Sequence, residues 1–324
     1  MTLTKKSDGI YVDDSFINIL DKVDGVIFDC DGVLIDITKS YDLAIIKTAQ
    51  YVLETFAQIT DAIKIDFKII DGFKSTGGFN DEVDLTYAAI ISIVAAKKLK
   101  KNQTSFIFDV IENANSTGIT SVEYYLENQT DISKIKKILS YPGTHHENPL
   151  YKIFDQIFYG PKLYKKLFGQ SSEFNDPGLI DQDDVILTDL LVKKLHHRFD
   201  SKISMVTGRG QKSVEYSLKT LLKKFNLKNS VFLEDESREL AKPNPKSLLN
   251  SMQGMSCNSP LYVGDSMEDF IMVKKINELG HRAIFCGIIG TSKDPQKKLE
   301  LSEQNGAGLV LDSINHLPKV LNLE

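Results

Sequence analysis

Between residues 203 and 311, short apolar runs alternate with amphipathic segments across connections of a few residues. Residues 203–207 (ISMVT) read as a buried strand, and Val214, Leu218, Leu221, Leu222 and Phe225 share one face of the helix expected after it. Residues 231–233 (VFL) make the next strand, and a helix begins near Pro245. Residues 261–263 (LYV) lead into a helix that stops at Gly280, a suitable C′ residue. Residues 282–285 (RAIF) and 308–311 (GLVL) complete the series. Such alternation buries its strands as a parallel sheet with helices on both faces. The expected fold class is therefore α/β, a doubly wound, mostly parallel sheet.

The middle of the chain has a different period. Leu150, Ile153, Phe154, Ile157 and Phe158 follow an i, i+3, i+4, i+7, i+8 pattern, an amphipathic helix. Leu43, Ile46, Leu53 and Phe56 mark another helix, and residues 82–99 read as a largely buried third. Almost no strand pattern occurs from about 38 to 180, so a mostly helical domain is expected to interrupt the α/β domain after its first strand. The predicted division is residues 1–37 with 181–324 as the α/β core and 38–180 as the inserted helical domain, with Asn175-Asp-Pro-Gly178 as the return linker. At 324 residues the chain is long enough for two such units.

Composition excludes some classes of function. A formal charge of −5 gives no basic footprint for nucleic acid. The longest strongly apolar run, residues 88–96, is far short of the ~20 residues needed to span a membrane. The first residues lack the apolar core of a secretory signal. Cys30, Cys257 and Cys286 are few and widely spaced, as in a reducing compartment. A cytoplasmic protein is expected, with neither membrane nor nucleic acid as partner.

In an open parallel sheet, ligands bind beyond the carboxyl ends of the strands. Residues 26–36 (VIFDCDGVLID) carry an apolar strand into Asp29 and Asp31. The strand at 203 ends in Thr207-Gly208-Arg209, and the strand at 261 ends in Gly264-Asp265-Ser-Met-Glu-Asp269. Lys242 lies in a Lys-Pro-Asn-Pro frame before a helix. Carboxylates beside a core need compensation, and a hard cation such as Mg²⁺ supplies it to oxygen ligands. Asp29, Asp265 and Asp269, with Asp31 through its carbonyl, are the expected metal ligands. Asp29 would attack phosphorus, and Asp31 would move the proton. Thr207 and Lys242 would hold the phosphoryl oxygens, with Gly208 and Arg209 beside them as substrate contacts.

These four segments, in this order, resemble the motifs of the haloacid dehalogenase superfamily of phosphohydrolases. Residues 26–36 are similar to its first motif, 205–209 (MVTGR) to its second, Lys242 to its third, and 263–269 (VGDSMED) to its fourth. The resemblance covers residues 20–40 and 185–324, and implies that the insert is a cap that closes over a small phosphorylated metabolite. Within it, residues 73–81 (FKSTGGFND) sit where related caps carry a specificity loop, making Lys74, Thr76 and Asn80 expected substrate contacts. Dehalogenase members lack an acid at the position of Asp31, so phosphoryl chemistry is expected over carbon–halogen cleavage. A sugar phosphomutase shares the aspartate pair and stays open.

Each motif has a plainer reading. Asp29 and Asp31 could cap a turn, although Gly32 comes too early for a calcium loop. Asp269 could be a first-turn helix acid favoured by the helix dipole. Lys74, Thr76 and Asn80 could be ordinary loop residues, the His145-His146 pair part of an exposed loop, and residues 97–101 a solvated helix end. Residues 208–213 (GRGQKS), with Glu234 further on, also outline a dinucleotide fingerprint in which Ser213 replaces the last glycine. A nucleotide-binding non-hydrolase is the competing reading.

Overall fold

The computed structural model describes residues 2–79, 81–143 and 147–323. The chain divides into two compact units, residues 1–38 with 183–324, and residues 39–182.

The first unit is built on an eight-stranded sheet. Its strands are β1 (Thr4–Ser7), β2 (Ile10–Val12), β3 (Val26–Phe28), β6 (Ile203–Thr207), β7 (Val231–Phe232), β8 (Leu261–Gly264), β9 (Ile284–Ile288) and β10 (Leu309–Leu311), in the order β1-β2-β10-β9-β8-β3-β6-β7. All neighbours from β10 to β7 are parallel, and β2 runs antiparallel between β1 and β10. A separate antiparallel ribbon pairs β4 (Ile35–Asp36) with β5 (Asp184–Val185). The fold is thus α/β with a doubly wound, mostly parallel sheet, and the terminal hairpin β1–β2 adds an edge that the apolar pattern did not show. Successive residues of β3 feed opposite layers: Val26 and Phe28 join one apolar cluster and Ile27 the other. From β3 the chain goes to β6 and β7 on one side, then crosses to β8, β9 and β10 on the other. The carboxyl end of β3 is therefore the switch point where such sheets bind ligands.

Two elements differ most from the sequence expectation. The fifth parallel strand is Ile284–Ile288, not residues 282–285, and all five of its residues are buried. It runs on through Cys286-Gly287, where glycine hides the strand pattern. The helix after β6 stops at Leu218; Lys219 takes φ +52°, and a 3₁₀ turn over Lys219–Lys224 brings Leu222 into the core.

The second unit is helical: Tyr41–Thr55, Phe67–Ser75, Glu82–Lys98, Gln103–Asn113, Ile119–Glu127, Ser133–Leu139 and Pro149–Phe168. Glu82–Lys98 is apolar on all sides and forms its centre, with Val83 and every residue from Leu85 to Ala96 buried. Tyr41–Thr55 packs on it through Ala44, Ile45, Thr48, Ala49, Val52 and Leu53. That face is rotated from the expected one, and Leu43 and Phe56 are exposed. Small side chains are buried on both helices, Ala44 and Ala49 on one and Ala88, Ala89 and Ser92 on the other, so bulk was a poor guide to the packed face. Gly160 (φ +68°) breaks the helix over Pro149–Phe168; a Cβ there would lie 2.3 Å from the Gly178 nitrogen, so both glycines are needed for the chain to pass.

Candidate active site

The residues at the end of β3 divide into two charged groups. The first is centred on Lys242, whose side chain is buried and whose Nζ lies 2.9 Å from Asp29 Oδ1 and 2.8 Å from Asp269 Oδ1. Asp29 continues the β3 ladder, its N–H donating to the Val263 carbonyl at 2.8 Å, and its Oδ1 accepts the Cys30 N–H at 2.7 Å. Asp265, one residue past β8, completes an acid cluster in which carboxylate oxygens of Asp29, Asp265 and Asp269 lie within 4.8 Å of one another. Gly32 (φ +68°) faces this cluster, and a Cβ there would meet Asp265 Oδ2 at 2.5 Å.

Asp269 is fully buried with both oxygens engaged. Oδ1 accepts from Tyr262 Oη at 2.8 Å besides contacting Lys242; Oδ2 accepts from Ser266 Oγ at 2.8 Å and from the Asp265 and Ser266 N–H groups. Ser266 in turn caps the helix over Met267–Glu278, a reciprocal capping box. Asp269 is thus a first-turn helix acid that also anchors Lys242 inside the acid cluster.

Charge in this group is uneven. Burial and Lys242 act in opposite directions on Asp269, and Lys242 with the hydrogen bonds holds its pKa below the ordinary value. Burial pushes Asp29 well above the usual range, with Lys242 opposing and Asp269, Asp265 and Asp31 adding to the rise. Burial alone would lower the Lys242 ammonium, but Asp269 and Asp29 outweigh it and raise it. One lysine offsets one of its two carboxylates well and the other poorly. Lys298 Nζ, 2.9 Å from Asp265 Oδ2, touches the third acid from the helix over Pro295–Gln304.

The second group holds Asp31, whose side chain is drawn away from the acid cluster to Arg209. Arg209 Nε lies 2.6 Å from Asp31 Oδ1, Nη2 2.7 Å from Asp183 Oδ2, and Nη1 donates to Ser217 Oγ at 3.0 Å. Arg209, expected from the sequence beside the substrate, is buried and links two acids. Burial raises the Asp31 pKa and Arg209 opposes that rise. Thr207 ends β6 fully buried, its Oγ1 accepting the Arg209 N–H at 3.3 Å. A Cβ on Gly208 would meet nothing within 4 Å, so the strand end is open there.

The structure also places the residues named in the insert. Lys74 is in the last turn of the helix over Phe67–Ser75, 3.5 Å from Glu82, and Thr76 caps that helix with its Oγ1 on the Phe73 carbonyl at 2.8 Å. Asn80, His145 and His146 lie outside the described residues. The dinucleotide reading meets an obstacle at its helix start. Glu234 Oε2 accepts the Gly210 N–H at 2.8 Å and Asp235 Oδ2 the Gln211 N–H at 2.7 Å, so the protein's own carboxylates occupy the place of a pyrophosphate.

Sequence reasoning missed Tyr262, Asp183 and Lys298. Tyr262 was counted as one apolar strand residue, yet its hydroxyl bridges Asp269 Oδ1 and the Val206 carbonyl, at 2.8 and 3.0 Å. A lone hydroxyl in a buried strand beside an acidic strand end was the available signal.

No protein-family model matches the sequence, and no curated protein does. Among solved structures, phosphatase Tt82 from Thermococcus thioreducens superposes with a TM-score of 0.57 at 22% identity, over 87% of this chain and 99% of that one. A conserved haloacid dehalogenase-like protein of unknown function from Agrobacterium tumefaciens matches at TM-score 0.47 and 14% identity, over 93% and 98% of the two chains. A hydrolase from Pseudomonas syringae matches at TM-score 0.45 and 14% identity, over 91% and 98%. The strand order, the motifs at the ends of β3, β6 and β8 and the likeness to phosphatase Tt82 identify the fold of this chain as the haloacid dehalogenase type.

Proposed function

We propose that the chain is a Mg²⁺-dependent phosphatase that hydrolyses a small phosphomonoester through an aspartyl-phosphate on Asp29. The observation that carries this reading is the position of Asp29: at the switch point, its Oδ1 held by a buried lysine, with a second acid, Asp265, alongside.

The donor set suits the metal. Three carboxylates stand close together, and burial raises the Asp29 pKa, with Lys242 opposing that rise and the neighbouring acids adding to it. Asp29 and Asp265 would hold Mg²⁺ directly, as hard oxygen ligands; Asp269, with both oxygens engaged, would act through Lys242. When bound, the ion neutralises the carboxylates and the phosphoryl group they face.

The remaining chemistry belongs to the chain. Lys242 keeps Asp29 Oδ1 in one orientation, which leaves Oδ2 as the attacking atom. Lys242 and the Thr207 hydroxyl stabilise charge on the phosphoryl oxygens. Asp31 gives its proton to the ester oxygen as the P–O bond breaks. It then takes a proton from the water that attacks the aspartyl-phosphate and frees Asp29. The likeness to a solved phosphatase and the carboxylates at the helix start near Gln211 both favour this reading over a nucleotide-binding protein. Three buried free thiols accord with a reducing cytoplasm. Among the described residues no helix is long and apolar enough to cross a membrane.

The test is phosphate release from a panel of metabolite phosphomonoesters with Mg²⁺ and with EDTA, for the wild type and Asp29→Asn. Metal-dependent release that disappears in the folded variant is the expected result. Release that survives in Asp29→Asn would overturn the mechanism, and isomerised sugar phosphate without net release would make the chain a mutase.

A further inference from the structure

Arg209 is gripped from three directions in a place where a charge is expensive. Its side chain and that of Asp183 are each 2% exposed, and that of Asp31 is 22% exposed. Buried ion pairs seldom outweigh the desolvation of their members when compared with apolar residues of the same size. Stability alone gives no reason to keep two acids and an arginine here, whereas a fixed direction for one carboxyl does.

The backbone shows what is being fixed. Asp183 directly precedes β5, and the Ile186 and Leu187 N–H groups beyond β5 both donate to the Leu34 carbonyl, at 2.9 and 3.2 Å. The loop from Asp31 closes on β4 through the Gly32 N–H to the Ile35 carbonyl at 2.8 Å. Asp183 and Asp31 thus stand on two segments tied to each other by backbone hydrogen bonds. Arg209 reaches both from the end of β6, and Ser217 braces it from the following helix. With Oδ1 of Asp31 held by Nε, Oδ2 is left to exchange a proton.

We propose that Arg209, locked in place by Asp183, is the positioning residue that fixes the Asp31 carboxyl for proton transfer. The inference rests on the phosphatase reading above. Arg209 touches neither substrate nor reacting atoms. It acts twice: when the Asp31 proton moves to the departing ester oxygen, and when the resulting carboxylate takes a proton from the attacking water.

Leaving groups separate this role from a general structural one. The wild type, Arg209→Lys and Asp183→Asn are compared with Mg²⁺ on phenyl phosphate and 4-nitrophenyl phosphate, by steady-state and rapid-quench kinetics. Phenoxide departs poorly without a proton; 4-nitrophenolate departs readily. Arg209→Lys is expected to lose about 10²-fold in kcat/KM on phenyl phosphate, the lower range for a displaced acid–base group. On 4-nitrophenyl phosphate it should lose little, and a burst of one equivalent of 4-nitrophenol should precede slow turnover, because water attack now lags. Asp183→Asn, which keeps the side-chain shape, should show the same pattern more weakly and covers the case in which Arg209→Lys fails to fold. An equal loss on both esters without a burst, or no loss on either, overturns the proposal. A wild type that turns over neither the aryl esters nor any ester of the panel refutes the phosphatase reading itself.

Discussion

Replacing Lys242 by methionine takes a cation from between Asp29 and Asp269 and fills the space with an apolar chain of similar length. Asp269 Oδ1 would lose its contact at 2.8 Å and Asp29 Oδ1 its contact at 2.9 Å. Removing one partner of a buried pair costs about 3–5 kcal/mol, because the other charge is left uncompensated. In a domain of roughly 150–250 residues this lowers Tm by about 6–20 °C, at 2–4 °C per kcal/mol. The loss should depend on pH, with a sign set by the two acids. Asp269 has a lowered pKa in the wild type, so it contributes stability above its unfolded value near 3.8 and loses it as pH falls. Asp29 has a raised pKa and costs stability as pH rises; without the lysine that cost grows. The variant should therefore fall below the wild type at pH 4 already, and the gap should widen towards pH 8 in EDTA as its uncompensated acids ionise. Adding Asp269→Asn to Lys242→Met should restore part of the loss at pH 8, since one of the stranded charges is gone. Thermal melts followed by circular dichroism at the two pH values decide the matter. A Tm difference that is the same at pH 4 and pH 8, or that the second substitution leaves untouched, refutes the claim that Lys242 offsets these two acids.

Glu268, in the first turn of the helix over Met267–Glu278, has its pKa pushed up to about 7 by burial. It costs stability as pH rises from about 4.5 through 7, so Glu268→Gln should stabilise the fold at pH 8 by about 3 kcal/mol, seen as a higher Tm, and leave Tm unchanged at pH 4. Melts in EDTA showing the same shift at both pH values would remove burial of the charged form as the cause. Gly32→Ala puts a Cβ at φ +68° and 2.5 Å from Asp265 Oδ2. The backbone strain costs about 1–2 kcal/mol, and the displaced Asp265 should weaken Mg²⁺ binding measured by calorimetry; unchanged affinity would mean that Asp265 is not held against that loop.

The three strand ends at Asp29, Thr207 and Asp265 were legible because each sets charged or hydroxyl residues directly after an apolar run, and a parallel sheet brings such ends to one edge. What those side chains touch was not legible. Arg209 shares the motif of Thr207, so adjacency suggested a substrate contact. Its partner Asp183 sits in an acidic run, residues 181–184, that reads as solvated surface. Nothing local separates Asp183, with its buried side chain, from Asp181 and Asp184, which are exposed or nearly so. The difference arises only when β5 pairs with β4 and turns one acid of the run inward. Asp269 carried the opposite ambiguity. As the last acid of a metal-type motif it suggested a ligand, and as an early helix residue it suggested a first-turn acid favoured by the dipole. A place in the first turn is local and was therefore legible from the sequence, whereas ligation depends on which oxygens remain free after Tyr262 and Lys242 have closed in. Strand ends thus tell where chemistry gathers, and burial divides the gathered groups into those that meet the substrate and those that hold them.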